Sequence, residues 1–474
     1  MQKTYFENYD VTNPESIEAY AKKLIGKTFR QISREDTSPI SDLKGLETYD
    51  ASHENRKQKG GLGVLIEERY FHYKANSISD ADFPEAGVEL KVSPFKVNKN
   101  GTLAAKERLI ITMIDYFSVV NERFYESHFW KKGRLILLIY YLYQKELERL
   151  DYTIKYADLF TPPIDDIRII KQDYEIIVEK IKAGKAHELS ESDTMYLGAA
   201  SKASTSKDRT KQPFNLELAK PRAFAYKNSY MTYVLNHYIV PGKVTYEAII
   251  KEKTNLTFED YVVKKIQAYQ NYSFEDLCEI FEVNSKSNAK NLVSTLTFRI
   301  LGVKGNHAEE FEKANIVIKS IRLTNRNTIK ENMSFPRFKF KEIVNEEWES
   351  SCIGRYFEET KFLFVVFKFD AEGVLRLKGC QFWNMPYADL NEEVKSVWEK
   401  TRNILKEGIV ISNEGKRTKN NLPKASENRV CHVRPHAKNS KDVDELPNGQ
   451  LYPKQCFWLN NKYILMQLKE SFFQ

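Results

Sequence analysis

Two carboxylates and one lysine lie close together in the segment 82–92. Asp82 precedes Glu89 by seven positions, and Lys91 follows Glu89 at the second position. Paired carboxylates can hold a divalent cation that polarises a phosphate and activates a water, while an ammonium stabilises the charge that develops. These are the residue types that a metal-dependent phosphodiesterase needs.

The residues around Glu89 predict the strand that must position this chemistry. Apolar side chains alternate with the two charged ones, at Val88, Leu90 and Val92. This period of two predicts a half-buried strand with Glu89 and Lys91 on one face. Asp82 can return to that face through the bend at Pro84, and Gly87 allows a close approach of the backbone.

The triplet Glu-x-Lys by itself is weak evidence for a site. It recurs at residues 359–361, 393–395 and 414–416, in a chain that is 29% charged. Most such triplets are solvated surface. The alternation around Glu89 and the acid seven residues before it distinguish the first triplet from the others.

The composition indicates two packed domains and suits an anionic partner. A chain of 474 residues exceeds the size of one hydrophobic core. Its 42% hydrophobic and 13% aromatic content is typical of packed cores rather than disorder. The 73 basic residues outnumber the 65 acidic ones, and the resulting charge of +8 is a modest excess that fits a polyanion.

The same features predict the compartment. No apolar run reaches the length of about 18 residues that a membrane span needs, and the polar start is unlike a signal peptide. The five cysteines form no CxxC pair. We therefore expect a reduced cytoplasmic protein without a membrane partner.

Weak internal repeats indicate a duplicated domain. Four segments recur in the same order: 18–24 as 259–266, 86–91 as 314–319, 134–141 as 361–368, and 221–228 as 453–460. The alternative is that helix–strand patterns resemble one another in any α/β protein. We predict a first domain at 1–240, a linker at 241–253 and a second domain at 254–474.

The two copies differ in their chemistry. Val317 occupies the position of Glu89 in the second copy, and a valine cannot ligate a cation. Lys319 matches Lys91, and Glu310 matches Asp82. The first copy is therefore the predicted catalytic domain, and the second a predicted binding domain.

The catalytic stretch resembles the MutH-like branch of the restriction-endonuclease fold. Asp82, Glu89 and Lys91 match its D…ExK residues, and residues 59–67 resemble its helix that precedes the active site and brings in Glu67. Residues 127–132 match the segment of its additional lysine, which falls on Lys132. The resemblance implies a mixed α/β (α+β) sheet and a cation held by Asp82, Glu89 and the backbone carbonyl of Leu90.

The duplication resembles the Sau-type GATC-cutting restriction endonucleases, which are two MutH-like domains in one chain. This likeness implies cleavage of both strands of 5′-GATC before the G, giving 5′-phosphate ends. It implies Mg²⁺, for which Mn²⁺ substitutes, and a second GATC site that activates the first, as in type IIE enzymes. It further implies a bacterial cytoplasm, dimerisation on DNA as an open alternative, and a cognate methyltransferase without a stable complex.

No glycine loop of the Walker type occurs, so we expect no nucleotide cofactor. The hydroxyl-rich, basic loop at 201–212 is either a mobile linker or part of a DNA-binding groove, and the resemblance favours DNA. The expected DNA-binding residues are Lys202, Lys207, Arg209, Lys211 and Lys227 in the first copy, and Arg434, His436 and Lys438 in the second. The second copy keeps an Arg-Pro pair at 434–435, where the first has Ala200-Ser201.

Several alternatives remain open at this point. Glu67 could form a surface pair with Glu68, and Lys132 could be a solvated neighbour of Lys131. A mismatch-repair type of enzyme would nick GATC sites, and a regulator would bind them without cutting. The retained acids and lysines disfavour the regulator, and the duplication disfavours the nicking enzyme.

Overall fold

The computed structural model describes residues 8–35, 61–73, 80–202, 207–240, 242, 245–284, 291–414, 417–439 and 441–474. Lys59 and Gly60 of the glycine-rich segment and Pro241 of the expected linker lie outside the described residues. The chain forms two compact units. The first comprises Met1–His187 and Thr194–Thr245, and the second Glu188–Asp193 and Tyr246–Gln474.

The six residues Glu188–Asp193 had been placed in the first domain by the sequence. The structure groups them with the second unit because they hydrogen-bond there. Ser190 Oγ donates to the Glu358 carbonyl (3.1 Å), Lys361 Nζ donates to the Asp193 carbonyl (3.1 Å), and Asn384 Nδ2 donates to Asp193 Oδ1 (3.2 Å).

The helices are distributed over both units. In the first unit they are α1 Pro14–Lys22, α2 Phe29–Glu35, α3 Gly61–Leu65, α4 His128–Gly133, α5 Ile164–Lys182 and α6 Asn228–Val234. In the second they are α7 Phe258–Gln267, α8 Phe274–Ile280, α9 Leu292–Ile300, α10 Glu309–Ala314, α11 Phe340–Ile343, α12 Cys352–Glu359, α13 Lys395–Glu407 and α14 Asn461–Met466. π-Helical turns span Ile66–Tyr70, Leu235–Ile239 and Asp389–Val394.

The strands follow the same division. The first unit contains β1 Glu89–Val97, β2 Leu103–Ala105, β3 Leu109–Met113, β4 Ile136–Leu142, β5 Thr153–Phe160, β6 Leu197–Ser201, β7 Thr210–Gln212, β8 Asn215–Ala219 and β9 Arg222–Tyr226. The second contains β10 Ile316–Leu323, β11 Met333–Arg337, β12 Lys361–Phe369, β13 Leu375–Trp383, β14 Ile411–Glu414, β15 Arg417–Asn420, β16 Cys431–Pro435, β17 Val443–Glu445, β18 Leu451–Pro453 and β19 Gln455–Leu459.

The first unit is built on a mixed sheet in the order β2-β1-β4-β5. Strand β1 pairs parallel with β4, and β5 pairs antiparallel with β4. The first five residues of β4 are all buried, because apolar side chains cover both faces of a central strand. A second sheet has the order β3-β9-β6, and β7 and β8 form a separate hairpin.

The second unit repeats this arrangement. Strand β10 pairs parallel with β12, and β13 pairs antiparallel with β12. A three-stranded sheet in the order β11-β19-β16 corresponds to β3-β9-β6. The pairing β6·β9 joins Leu197 to Tyr226, and β16·β19 joins Cys431 to Leu459, with the same five-residue register. The duplicated mixed α/β fold predicted from the sequence is confirmed.

Polar caps fix where the helices begin. Asn13 accepts hydrogen bonds from the first turn of α1, and Thr257 accepts one from the first turn of α7. Ser127 and Ser351 cap α4 and α12 in the same way. In the part of the chain that the structure describes, no helix has the length and apolar character needed to cross a bilayer.

Candidate active site

Strand β1 begins at the central acid of the site. Glu89 is only 2% exposed and Lys91 is half-buried, so the start of the strand lies deeper than the half-buried strand that the alternation had predicted. The correction has a topological cause. The start of β1 lies beside β4, and Glu89 N donates to the Leu135 carbonyl (3.1 Å), which places the acid inside the unit.

A tight turn ahead of β1 positions Asp82. Phe83 and Val88 exchange two backbone hydrogen bonds of 2.9 and 3.2 Å, which closes the turn. Gly87 has φ +67°, and a Cβ there would lie 2.6 Å from Arg134 Nη2, so this position requires glycine. Asp82 Oδ2 accepts a hydrogen bond from Leu90 N (2.9 Å), which attaches the acid to β1.

Lys91 and Lys132 approach Glu89 from two elements. Lys91 Nζ lies 2.6 Å from Glu89 Oε1, on the face of β1 that the period of two had predicted. Lys132 Nζ lies 3.3 Å from Glu89 Oε2. Lys132 is carried on α4, whereas its neighbour Lys131 is exposed. The sequence left open whether Lys132 is a site residue or a solvated neighbour of Lys131, and the geometry places Lys132 beside Glu89.

Helix α4 is held rigidly. Ser127 Oγ accepts from Trp130 N (3.1 Å) and donates to the Phe124 carbonyl (2.6 Å). At the other end, Tyr226 Oη donates to the Gly133 carbonyl (2.9 Å). Lys132 is thus presented by a short helix that is fixed at both ends.

Glu67 lies on the π-helical turn that follows α3. Burial, with smaller contributions from the charges of Asp82 and Glu89, raises its pKa to about 7 against the opposing effect of Lys91. Glu67 is therefore within electrostatic range of the site acids. That placement favours the site over a surface pair with Glu68.

The acids are crowded. Burial raises the pKa of Asp82, and the nearby Glu89 raises it as well. The Leu90 N–H and the charges of Lys91 and Lys132 act in the opposite direction. Three carboxyl groups in one buried place create a negative potential that a cation can offset.

Tyr73 also belongs to this place, and the sequence analysis missed it. Its hydroxyl is buried and has no hydrogen-bond partner among the residues that the structure describes. Burial raises the pKa of Tyr73 strongly, with smaller contributions from Asp82, Glu67 and Glu89. The ring packs edge-on against Phe83, with centroids 5.5 Å apart. With 27 tyrosines in the chain, no sequence signal marks this one.

The residues fit a cation that keeps water ligands. Within the described ranges, no cluster of three or more His, Cys, Asp or Glu side chains is arranged to hold an ion by itself. Mg²⁺ is usually bound through one or two carboxylates, with water and substrate phosphate completing the shell. Glu89 Oε2 is buried, and among the described residues it has the ion pair with Lys132 at 3.3 Å but no hydrogen bond of good geometry, so it retains a lone pair for such an ion.

The expected DNA-binding residues of the first unit divide into two groups. Lys202, Lys207, Arg209 and Lys211 are exposed around the β7–β8 hairpin. Lys227 is 2% exposed, and its Nζ donates to the Thr194 carbonyl. Lys227 is a core residue in this geometry, which argues against its expected role at the DNA surface.

In the second unit, the expected DNA-binding residues lie on and after β16. The Arg434 guanidinium lies over the Trp458 ring, with Cζ 4.8 Å from the ring centroid. The His436 ring packs edge-on against Trp458, with centroids 5.5 Å apart. Lys438 is exposed. Because the two pairings share one register, Arg434 occupies the position in the second unit that Ala200 occupies in the first, as the sequence comparison had indicated.

Comparisons with known proteins extend over both units. The profile of the family described as "DNA mismatch repair enzyme MutH" matches residues 71–173. The chain is 37% identical over 496 aligned residues to the "Type II restriction enzyme Sau3AI" of Staphylococcus aureus, covering 95% of this chain and 97% of that protein. It is 26% identical over 184 residues to "DNA mismatch repair protein MutH" of Shewanella sp. (strain ANA-3) and of Shewanella putrefaciens, covering 38% of this chain and 80% of each relative.

Proposed function

Since the chain belongs to the family of the type II restriction enzyme Sau3AI, we propose that it cuts both strands of 5′-GATC before the G, with Mg²⁺. Family membership makes the chain a site-specific deoxyribonuclease that acts on DNA and requires a divalent metal.

One observation carries the proposed chemistry: Asp82, Lys91 and Lys132 converge on the buried Glu89. Asp82 and Glu89 would hold the cation. The Leu90 carbonyl would be the third oxygen, because the N–H and C=O of a strand residue point to one side and the Leu90 N–H points to Asp82. When bound, a divalent cation polarises the scissile phosphate and makes a water nucleophilic.

The remaining side chains complete the site. Lys91 and Lys132 would donate positive charge where the pentavalent phosphate becomes more negative. Glu67 would add a further carboxyl group beside the cation; in the metal-free site, burial is the main cause that raises its pKa to about 7. The buried geometry holds these groups in place before the substrate arrives, so little reorganisation accompanies the reaction.

The second unit would bind a further GATC copy and activate the first. Val317 supplies no carboxylate at the position of Glu89. A cleft of about 570 Å³ in this unit is lined by Lys319, Arg322 and Lys330 among others, which suits an anionic ligand. Arg434, His436 and Lys438 would add contacts to phosphate or bases.

We further propose a bacterial cytoplasmic location, association of two copies on DNA, and a companion methyltransferase that forms no stable complex. The five cysteines are all free thiols, which suits a reducing compartment.

Incubating the full chain with Mg²⁺ and a plasmid that contains GATC sites tests the function. We expect linear fragments with 5′-phosphate ends that begin with GATC, and no cleavage of a plasmid without such sites. Nicked circles alone would identify a strand-nicking enzyme. Specific binding without strand breaks would identify a regulator. Mn²⁺ should replace Mg²⁺, and added nucleotide should have no effect.

A further inference from the structure

The β7–β8 hairpin is attached to the first unit by one face. Gln212 Oε1 accepts a hydrogen bond from Ala186 N (2.8 Å), and Asn215 Nδ2 donates to the Gly184 carbonyl (2.8 Å). Gly184 has φ +71°, and a Cβ there would lie 2.9 Å from the Phe214 carbonyl. The hairpin therefore lies directly on the segment that follows α5, and its position is fixed.

The opposite face is apolar and exposed. Alternate residues of β8 point away from the attached side, and these are Leu216, which is 99% exposed, and Leu218, which is 48% exposed. Phe214 in the turn is 72% exposed. We call these three residues and Lys211 the outer face of the hairpin. Large apolar side chains grouped in this way mark an interaction surface.

Basic residues accompany this apolar group, and the one exposed acid of β8, Glu217, pairs with His187 (3.2 Å) on the attached side. Lys207, Arg209 and Lys211 are exposed within or just before β7, and Lys202 is exposed at the end of β6. A second copy of this chain placed symmetrically on the outer face would bring like charges together, which is unfavourable. DNA offers phosphates for the cations together with base and sugar surfaces for the apolar side chains.

The corresponding hairpin of the second unit has a different character. Strands β17 and β18 carry Asp444 and Glu445, and Asp442 immediately precedes them. Asp442 forms ion pairs with Arg337 (2.9 Å) and with Lys454. Strand β18 carries one exposed leucine, Leu451, so the two hairpins differ in their charge and in the number of their exposed apolar side chains.

We propose that the outer face of the β7–β8 hairpin inserts into a DNA groove. Leu216 and Leu218 enter a base step, Phe214 contacts sugar or base surface, and the neighbouring cations contact phosphates. This role deepens the DNA binding of the proposed function and rests on it. It adds an apolar contact that the basic residues alone would not provide.

The test uses the full-length chain and a short GATC duplex, with Ca²⁺ in place of Mg²⁺ to prevent cleavage. The duplex carries 2-aminopurine in turn at each step in and beside GATC, because its fluorescence rises when a base loses its stacking. We expect an increase at one step with the unaltered chain. The double variant Leu216→Ser/Leu218→Ser should abolish that increase and weaken binding by about tenfold to a hundredfold, the range for withholding buried leucine side chains.

Two control variants define the contact. Ile164→Ser replaces another exposed apolar residue, at the far end of α5 and about 27 Å along that helix from Lys182, and should change neither signal. Lys211→Gln should weaken binding to all sequences and reduce the salt dependence by about one unit of slope, while the fluorescence increase remains.

The outcomes separate this proposal from the target assignment. The unaltered chain could bind GATC and scrambled duplexes with equal affinity, and the double variant could lose the same affinity for both. This result would reject GATC as the target but would support the hairpin contact. Unchanged affinity and fluorescence in the double variant would overturn the hairpin contact. Sedimentation that shows a self-associated chain, dissociated by the double variant with DNA binding unaltered, would identify a protein interface instead and also overturn it.

Discussion

The strands β1 and β10 occupy the same place in the two units but serve different purposes. In β1, Glu89 is buried with two lysine ammonium groups within 3.3 Å. In β10, Val317 packs against the apolar core, and the Nζ of Lys319 donates to the Ser334 carbonyl (3.1 Å). Burial lowers the pKa of Lys319, and a smaller effect of Cys456 opposes it.

Glu310, which matches Asp82 in the second unit, has a structural role. Asp82 reaches β1 through one hydrogen bond, whereas Glu310 uses both carboxylate oxygens to accept from Ile249 N and Ile250 N. The residues of the second unit that match Asp82 and Lys91 thus hydrogen-bond to the backbone of the fold. The two units differ in the partners of these matched residues as well as in the replacement of Glu89 by Val317.

The largest effect is expected at Glu89. Glu89→Ala should reduce cleavage by about three orders of magnitude or more, because it removes a cation ligand and leaves two lysines uncompensated. Single-turnover cleavage of a GATC plasmid measures this. Glu393→Ala, in another Glu-x-Lys triplet, should cut at the unaltered rate. Near-normal turnover of Glu89→Ala would disprove the assignment.

The next largest effect on cleavage is expected at Lys132. Lys132→Ala should lower the rate of the chemical step by about a hundredfold to a thousandfold, the size expected for one group that stabilises developing charge. DNA affinity should change little. Lys131→Ala is the matched control, because the adjacent side chain is exposed, and equal effects of the two substitutions would show that only general positive charge matters.

Glu67 predicts a pH dependence. Its pKa of about 7 means that the metal-free site carries a proton there at lower pH, and a bound cation must displace it. Cation affinity should therefore fall as the pH drops below about 7, by up to about tenfold per pH unit. Mn²⁺ titrations at several pH values measure the slope. Glu67→Gln should flatten it, and Glu68→Gln should not. A slope that survives in Glu67→Gln would place the proton elsewhere.

Tyr73→Phe should separate activity from stability. Removing a buried hydroxyl that has no partner within the described ranges should leave thermal stability unchanged or raise it, since such a group costs about 1–3 kcal/mol. If the hydroxyl hydrogen-bonds to a site acid or water once DNA is bound, cleavage should fall by about tenfold. A lower melting temperature with normal cleavage would make Tyr73 a packing residue only.

The smallest effect is expected from restoring the lost acid. Val317→Glu in the Glu89→Ala background should recover no cleavage, because Glu310 and Lys319 are engaged in backbone hydrogen bonds. Recovery of metal-dependent cleavage would show that the second site lacked a single side chain and nothing else.

The sequence predicted the parts of the site that are local. Asp82, Glu89 and Lys91 lie within one turn and one strand, so spacing and alternation were sufficient. The burial of Glu89 was not predictable, because it follows from the long-range pairing of β1 with β4. Lys132 depended on the family resemblance, since only the folded chain brings α4 to Glu89.

Two other differences have physical reasons. Lys227 was expected at the DNA surface because a buried lysine and an exposed one look alike in a sequence. Residues 210–212 were expected within a loop, but they form β7 and pair with β8, where the alternation in residues 215–219 is typical of a strand. Chain order placed residues 188–193 in the first domain, whereas the structure groups them with the second unit. The order of residues along the chain does not reveal such packing.

We propose that the first unit cuts DNA, and that the second unit binds DNA and activates the first. Cleavage of a plasmid with a single GATC site, with and without a short uncleavable GATC duplex at fixed salt, tests this proposal most directly. We predict that the duplex accelerates cleavage by the unaltered chain, and that Arg434→Ala abolishes the acceleration while leaving the basal rate intact. Equal rates at every duplex concentration, with Arg434→Ala also without effect, would contradict the account and make the second unit a scaffold.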